Sequence, residues 1–164
     1  MIRILFVCHG NICRSPMAES VFTHLVRERG MEQEIVCASA AAHTDEIGNP
    51  PHYGTREKLR KEHIPLVPHR ARLMTREDGK LYDLLIGMDE YNVRDIKRIV
   101  GAENARKVHL LLEYAGSGRA IADPWYTGDF DETFSDVLEG CRALLDAICT
   151  HTIRKSESKN RGIT

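Results

Sequence analysis

The chain has 164 residues, 42% of them hydrophobic, which suits one compact domain and argues against a second. Its 23 basic and 24 acidic residues nearly cancel, so no global field draws it to nucleic acid or to an anionic membrane, and any anion it binds must be held locally. Cysteines at 8, 13, 37, 141 and 149 are odd in number and lack paired Cys-x2-Cys spacing, which argues against a disulfide framework and a structural metal and points to a reducing, cytoplasmic setting.

Ile2 to Val7 is a short apolar run rich in branched residues, as expected for a strand covered on both faces, and it is placed at the centre of a sheet. It is too short for a signal peptide, and no run is long enough to span a membrane. Cys8-His9-Gly10-Asn11-Ile12-Cys13-Arg14-Ser15-Pro16 follows directly as a tight loop and helix start. Pro16 suits a first helical turn, and Met17, Val21, Phe22, Leu25 and Val26 recur at helical spacing until Gly30. Glu34 to Ala40, Leu81 to Gly87 and Val108 to Leu112 read as three further strands. Helical patterns lie at about Tyr53 to Glu62, Asp89 to Val100, and Asp131 to Cys149, the last with Val137, Leu138, Cys141, Leu144, Leu145 and Ile148 on one face. This alternation predicts an α/β, doubly wound, four-stranded parallel sheet with helices on both faces. Ligands of such sheets bind beyond the carboxyl ends of the strands, where Cys8 falls. The irregular stretches Ala41 to Pro51 and Glu113 to Phe130 are the expected walls of that site. The domain is expected over residues 1–153, followed by a tail, 154–164, without core-forming period that reads as frayed or disordered.

A cysteine at a strand end, an arginine six residues on, and N–H groups converging at a helix start make a site for a dianionic phosphate or another oxyanion. A thiol becomes a thiolate near neutrality when helix-terminal dipoles and a guanidinium stabilise its charge, and Cys8 has both nearby. Gly10 lacks a Cβ and Asn11 tolerates left-handed geometry, so the loop can turn tightly enough to aim its N–H groups inward. The planar fork of Arg14 would hold two phosphoryl oxygens in a way a lysine could not. Ser15 reads as a donor to the Cys8 sulfur or as the helix N-cap, two readings that are compatible.

The run from Val7 to Pro16, with Asp123-Pro124-Trp125-Tyr126 about 110 residues later, resembles the low-molecular-weight protein tyrosine phosphatase family. His69-Arg70-Ala71-Arg72 and Ile86-Gly87-Met88-Asp89-Glu90 extend the resemblance over roughly residues 2 to 150. It implies a flavodoxin-like fold, a phosphotyrosine-containing protein as substrate, no cofactor and no metal, and a monomer or weak dimer. Cys8 is then the nucleophile that forms a phosphocysteine, while Arg14 and the loop from His9 through Ile12, Cys13 and Ser15 hold the phosphoryl group. Asp123 matches the general acid, although Asp123-Pro124 alone reads as a turn. Trp125 and Tyr126 would wall a slot for a phenyl ring, the alternative for Trp125 being a core anchor. Asn11 and His69 match residues that brace the loop. Cys13 matches a residue that can close a disulfide with Cys8, or it simply packs as a small hydrophobe. Cys37, Cys141 and Cys149 fall on core faces.

The match departs at residues 41–53, where many relatives carry an early aromatic and a Pro-x-Asp-Pro stretch and this chain has Asp45 and Pro50-Pro51-His52-Tyr53. Tyr53 either supplies the missing wall or belongs to the helix start. Arsenate reductases share the loop but need two further cysteines, and Gly87 to Asn92 holds none. In protein arginine phosphatases a threonine commonly precedes the second loop cysteine, where this chain has Ile12. A noncatalytic phosphate-binding or redox-sensing module on the same scaffold is the remaining alternative.

Overall fold

The computed structural model describes the backbone of residues 1–161 and the side chains of residues 1–151. Four parallel strands, β1 (Ile2–Cys8), β2 (Ile35–Ala41), β3 (Leu84–Gly87) and β4 (Val108–Leu110), form one sheet in the order β2-β1-β3-β4. The sheet is the expected doubly wound one, with β1 in its interior. Cys8 pairs with Ala41 at the carboxyl end of β1, while Val7 pairs with Gly87 on the other side.

Side chains of β1 alternate between two cores, as the strand period requires. Ile4, Phe6 and Cys8 face α1 (Arg14–Glu28) and α6 (Phe130–Arg161), where Phe6 meets Phe22 edge-on at 5.6 Å. Leu5 and Val7 face α4 (Glu90–Val100), packing with Ile96 and Val100. The α1 helix exists because Met17, Val21, Phe22 and Val26 form one buried stripe. It stops where Gly30 takes φ +66° and the Met31 N–H returns to the Val26 carbonyl, a closure that favours glycine.

Three expectations change. The apolar run from Leu81 to Gly87 is a strand only from Leu84; Asp78–Leu81 is a short helix, α3. Its Asp78 carboxylate accepts the Thr75 N–H at 2.8 Å and holds Arg72 at 3.1 and 3.2 Å, so turn chemistry overrides the apolar Leu81, which stays exposed. The strand expected over Val108 to Leu112 ends at Leu110, because the Glu113 carboxylate accepts the Leu110 N–H and starts a 3₁₀ turn over Leu111–Ala115. The last helix begins at Phe130 and runs to Arg161 rather than ending at Cys149. Among the described side chains its buried stripe runs to Ile148, and the end of such a stripe need not be the end of a helix. Of the expected tail, residues 154–161 continue α6, and residues 162–164 lie outside the described residues. The stretch from 113 to 130 also holds α5 (Pro124–Thr127), and α2 spans Tyr53–Lys61. Among the described residues no helix is long and apolar enough to cross a membrane.

Candidate active site

The loop after β1 closes around the sulfur of Cys8. Cys13 is the N-cap of α1, so Ser15 lies inside the first turn rather than capping it. Its hydroxyl sits 2.9 Å from Cys8 Sγ and its N–H points at the same sulfur from 3.4 Å. Of the two readings of Ser15, the sulfur partner is the one the structure shows.

Asn11 takes the left-handed conformation, φ +60°, and is fully buried. Its side-chain amide donates to Ser15 Oγ at 2.8 Å and to Ser39 Oγ at 3.0 Å, while its Oδ1 accepts the Arg72 N–H at 3.1 Å. Its carbonyl is 2.8 Å from His69 Nε2, which ties His69 to the loop. Behind these, the Ser39 hydroxyl donates to Glu19 at 2.5 Å. Burial pushes the Glu19 carboxyl up from its ordinary range, against the opposing pull of the Ser39 hydrogen bond and of His69 and Arg72. Gly10 is not left-handed, and a Cβ there would meet only the flexible Glu46 side chain, with Cγ at 3.2 Å. Cys13 packs with Ile12 and Ala71, and its pKa is pushed up to about 12, first by burial and then by the negative charge of Cys8 and Asp123. Both loop cysteines are free thiols, as are Cys37, Cys141 and Cys149, which pack on or against the α1–α6 core.

Arg14 is almost completely buried beneath this loop. Its Nη1 donates to Asp89 Oδ2 at 2.7 Å and to the Ile121 carbonyl at 3.0 Å, and its Nη2 reaches Asp123 Oδ2 at 3.4 Å. Burial works against the guanidinium charge, but Cys8, Asp89 and Asp123 outweigh it and hold the pKa above its ordinary value. Asp89 was not singled out from the sequence. Its Asp-x-x-Asn spacing could only have announced an N-cap, a job it also performs by accepting the Asn92 N–H at 2.8 Å.

Asp123 serves as both turn and acid candidate: its Oδ1 accepts the Trp125 N–H at 3.1 Å, capping α5, while its Oδ2 faces Arg14. Cys8, Arg14 and Asp123 all line one cavity of about 760 Å³. Trp125 and Tyr126 line it too, exposed by 57% and 84%, so Trp125 is a wall and no core anchor. Tyr53 is not brought to the cavity. The preceding residue, His52, is the N-cap of α2, and its ring is the one that meets Trp125.

The opposite wall draws on the expected 41–51 stretch, but the pairing of its side chains is not announced by the sequence. The ring of His9 stacks on His43 with centroids 4.2 Å apart, His9 Nε2 lies 2.5 Å from Asp45, and His43 Nε2 lies 2.8 Å from Asp95 on α4. Burial raises the Asp95 carboxyl, but hydrogen bonds from Arg98 and His43 prevail and hold it below the ordinary range. His43 and Asp95 are too far apart in sequence for any spacing to have joined them. Among the described residues no group of three or more His, Cys, Asp or Glu side chains is placed to hold a metal ion.

A family model described as low molecular weight phosphotyrosine protein phosphatase matches residues 3–158. The low molecular weight protein-tyrosine-phosphatase YfkJ of Bacillus subtilis is 41% identical over 150 residues, 90% of this chain and 96% of that protein. Its crystal structure superposes with a TM-score of 0.89 over 92% of this chain and 96% of that one. The human low molecular weight phosphotyrosine protein phosphatase is 38% identical over 148 residues, covering 87% of this chain and 93% of its own length. The structure of SP-PTP from Streptococcus pyogenes matches at 36% identity with a TM-score of 0.81, over 90% and 93% of the two chains.

Proposed function

The chain belongs to the low molecular weight phosphotyrosine protein phosphatase family and is a protein-tyrosine phosphatase; we propose that it hydrolyses phosphotyrosine in proteins, and small aryl phosphates, through a phosphocysteine on Cys8. The observation that carries this reading is the convergence of Cys8, Arg14 and Asp123 on one cavity walled by Trp125 and Tyr126. The Cys8 thiolate attacks phosphorus in line as the bond to the tyrosyl oxygen breaks. Arg14 and the loop N–H groups hold the oxygens of the transferring group, and Asp123 gives its proton to the departing oxygen. In the second step Asp123 takes a proton from water as that water attacks phosphorus, and the sulfur leaves with the Ser15 hydroxyl and N–H beside it. Five free thiols suit a reducing compartment, and the enzyme is assigned to the cytoplasm on that ground.

The two neighbouring activities find less support. The segment after β3 that would need relay cysteines for arsenate reduction instead supplies Asp89 to Arg14 and Asn92 to the Met88 N–H. The aromatic wall of Trp125 and Tyr126 suits a planar phenyl ring better than the flexible chain of a phosphoarginine. The test is steady-state hydrolysis of p-nitrophenyl phosphate, a phosphotyrosine peptide and a phosphoarginine compound, with a chelator present. The aryl substrates should be preferred and the chelator should leave the rates unchanged, because the scheme uses protein groups alone. Preference for phosphoarginine would overturn the specificity.

Asp123→Ala separates the acid from its turn role. Since kcat/KM reports the step in which the ester oxygen leaves, it should fall about 10²–10³-fold for phenyl phosphate and far less for 2,4-dinitrophenyl phosphate, whose oxygen leaves without a proton. An equal loss for both esters would remove Asp123 from the acid role.

A further inference from the structure

The first turn of α2 touches both halves of the cleft. The His52 N–H donates to the Ile12 carbonyl at 2.8 Å and the Thr55 hydroxyl to the Cys13 carbonyl at 3.1 Å, so this turn is fastened to the phosphate loop from behind. The ring of His52 caps α2, its Nδ1 accepting the Gly54 N–H at 2.9 Å. The same ring stacks on Phe130 at 5.2 Å and sets itself edge-on to Trp125 at 5.9 Å. A Cβ on Gly54 would fall 2.3 Å from the Phe130 ring, so the glycine is what lets α2 come this close.

The acid loop is held differently on its two sides. Upstream of Asp123, the Ile121 N–H donates to the Met88 carbonyl and the Thr133 hydroxyl to the Ala122 carbonyl, each at 2.9 Å. Downstream comes α5, four residues long and too short to hold itself rigid. Its Trp125 N–H bonds the Asp123 carboxylate, and its Trp125 ring meets His52. A path of direct contacts thus runs from the phosphate loop through His52 and Trp125 to the Asp123 carboxyl.

We propose that His52 is a positioning residue that keeps the Asp123 loop in register with the phosphate loop, so that the carboxyl lies within hydrogen-bond reach of the leaving oxygen while Cys8 attacks phosphorus. This rests on the phosphatase reading above and adds to it a residue that touches neither substrate nor reacting atoms. Proton transfer is the step that suffers from a small displacement of the acid, whereas phosphate capture by Arg14 and the loop N–H groups does not depend on it.

Two substitutions divide the ring's duties. His52→Asn keeps a capping side chain and removes the ring; His52→Phe keeps a ring against Trp125 and Phe130 and removes the cap. His52→Asn should melt close to wild type yet lose about tenfold in kcat/KM for phenyl phosphate, with 2,4-dinitrophenyl phosphate changed by less than about twofold. His52→Phe should melt a few degrees lower and retain the wild-type ratio between the two esters. A loss in His52→Asn that is equal for both esters, or absent for both, overturns the inference, and so does a His52→Phe that shares the defect. If the wild type itself fails to hydrolyse either ester, the phosphatase reading falls and takes this inference with it. Uniform losses on an active wild type sink the inference alone.

Discussion

Cys8→Ser should give a folded protein without measurable turnover. A serine hydroxyl fits where the thiol sits, at the buried end of β1 beside Ser15 Oγ, so the melting temperature should move by no more than a few degrees. The chemistry does not survive, because an alkoxide is inaccessible where a thiolate is not, and the other loop thiol, Cys13, has its pKa pushed up to about 12 by burial and neighbouring negative charge. We expect p-nitrophenyl phosphate hydrolysis to fall at least about 10⁴-fold, as with other enzymes stripped of their nucleophile. Equilibrium binding of inorganic phosphate should persist, since Arg14 and the loop N–H groups do not need the sulfur. Appreciable turnover by the variant would rule out a phosphocysteine.

Arg14→Lys should also be strongly damaging although it conserves charge. The guanidinium bridges the Asp89 side of the cleft to the Asp123 side while also bonding the Ile121 carbonyl, three directions set by one rigid plane. An ammonium is a point charge on a flexible stem and cannot offer two parallel N–H groups to a phosphoryl face. In a buried position it would settle on Asp89 or Asp123 and leave the other carboxylate without its cation. We expect kcat/KM for p-nitrophenyl phosphate to fall about 10²–10³-fold, with weaker inhibition by inorganic phosphate measured in the same assay. A lysine variant within a few-fold of wild type would show that charge alone holds the phosphoryl group.

The placement of the cleft residues was legible where it is local in sequence. Cys8 through Ser15 lie on a strand end, a loop and a helix start that the residue pattern announces together, and Asp123 was marked by its motif. Position β1 inside a parallel sheet followed from a run buried on both faces. Illegible were the partners that tertiary folding delivers. Glu19 and Ser39 come from α1 and β2 and meet only because those elements pack side by side. His43 and His9 stack because Ala42 and His43 extend the β2 backbone along the Cys8 and His9 carbonyls. Tyr53 was a reasonable candidate for a wall, but as the first residue of α2 it stays exposed and outside the cavity, and the adjacent His52 meets the back of the site at Trp125 instead. Turn chemistry at Asp78 and Glu113 shortened two strands whose apolar runs were real.

The bonds that shape the loop at Asn11 all come from the protein: Ser15 and Ser39 take its amide hydrogens, and the Arg72 N–H and His69 hold its two oxygens. Disorder in this segment is therefore surrendered once, as the chain folds, and an arriving ester meets donors whose directions are already set. No loop rearrangement need then precede capture, so association is expected at the rate of encounter with the cavity. A preset floor of this kind would leave discrimination among substrates to the exposed rim of tryptophan, tyrosine and paired imidazoles above it.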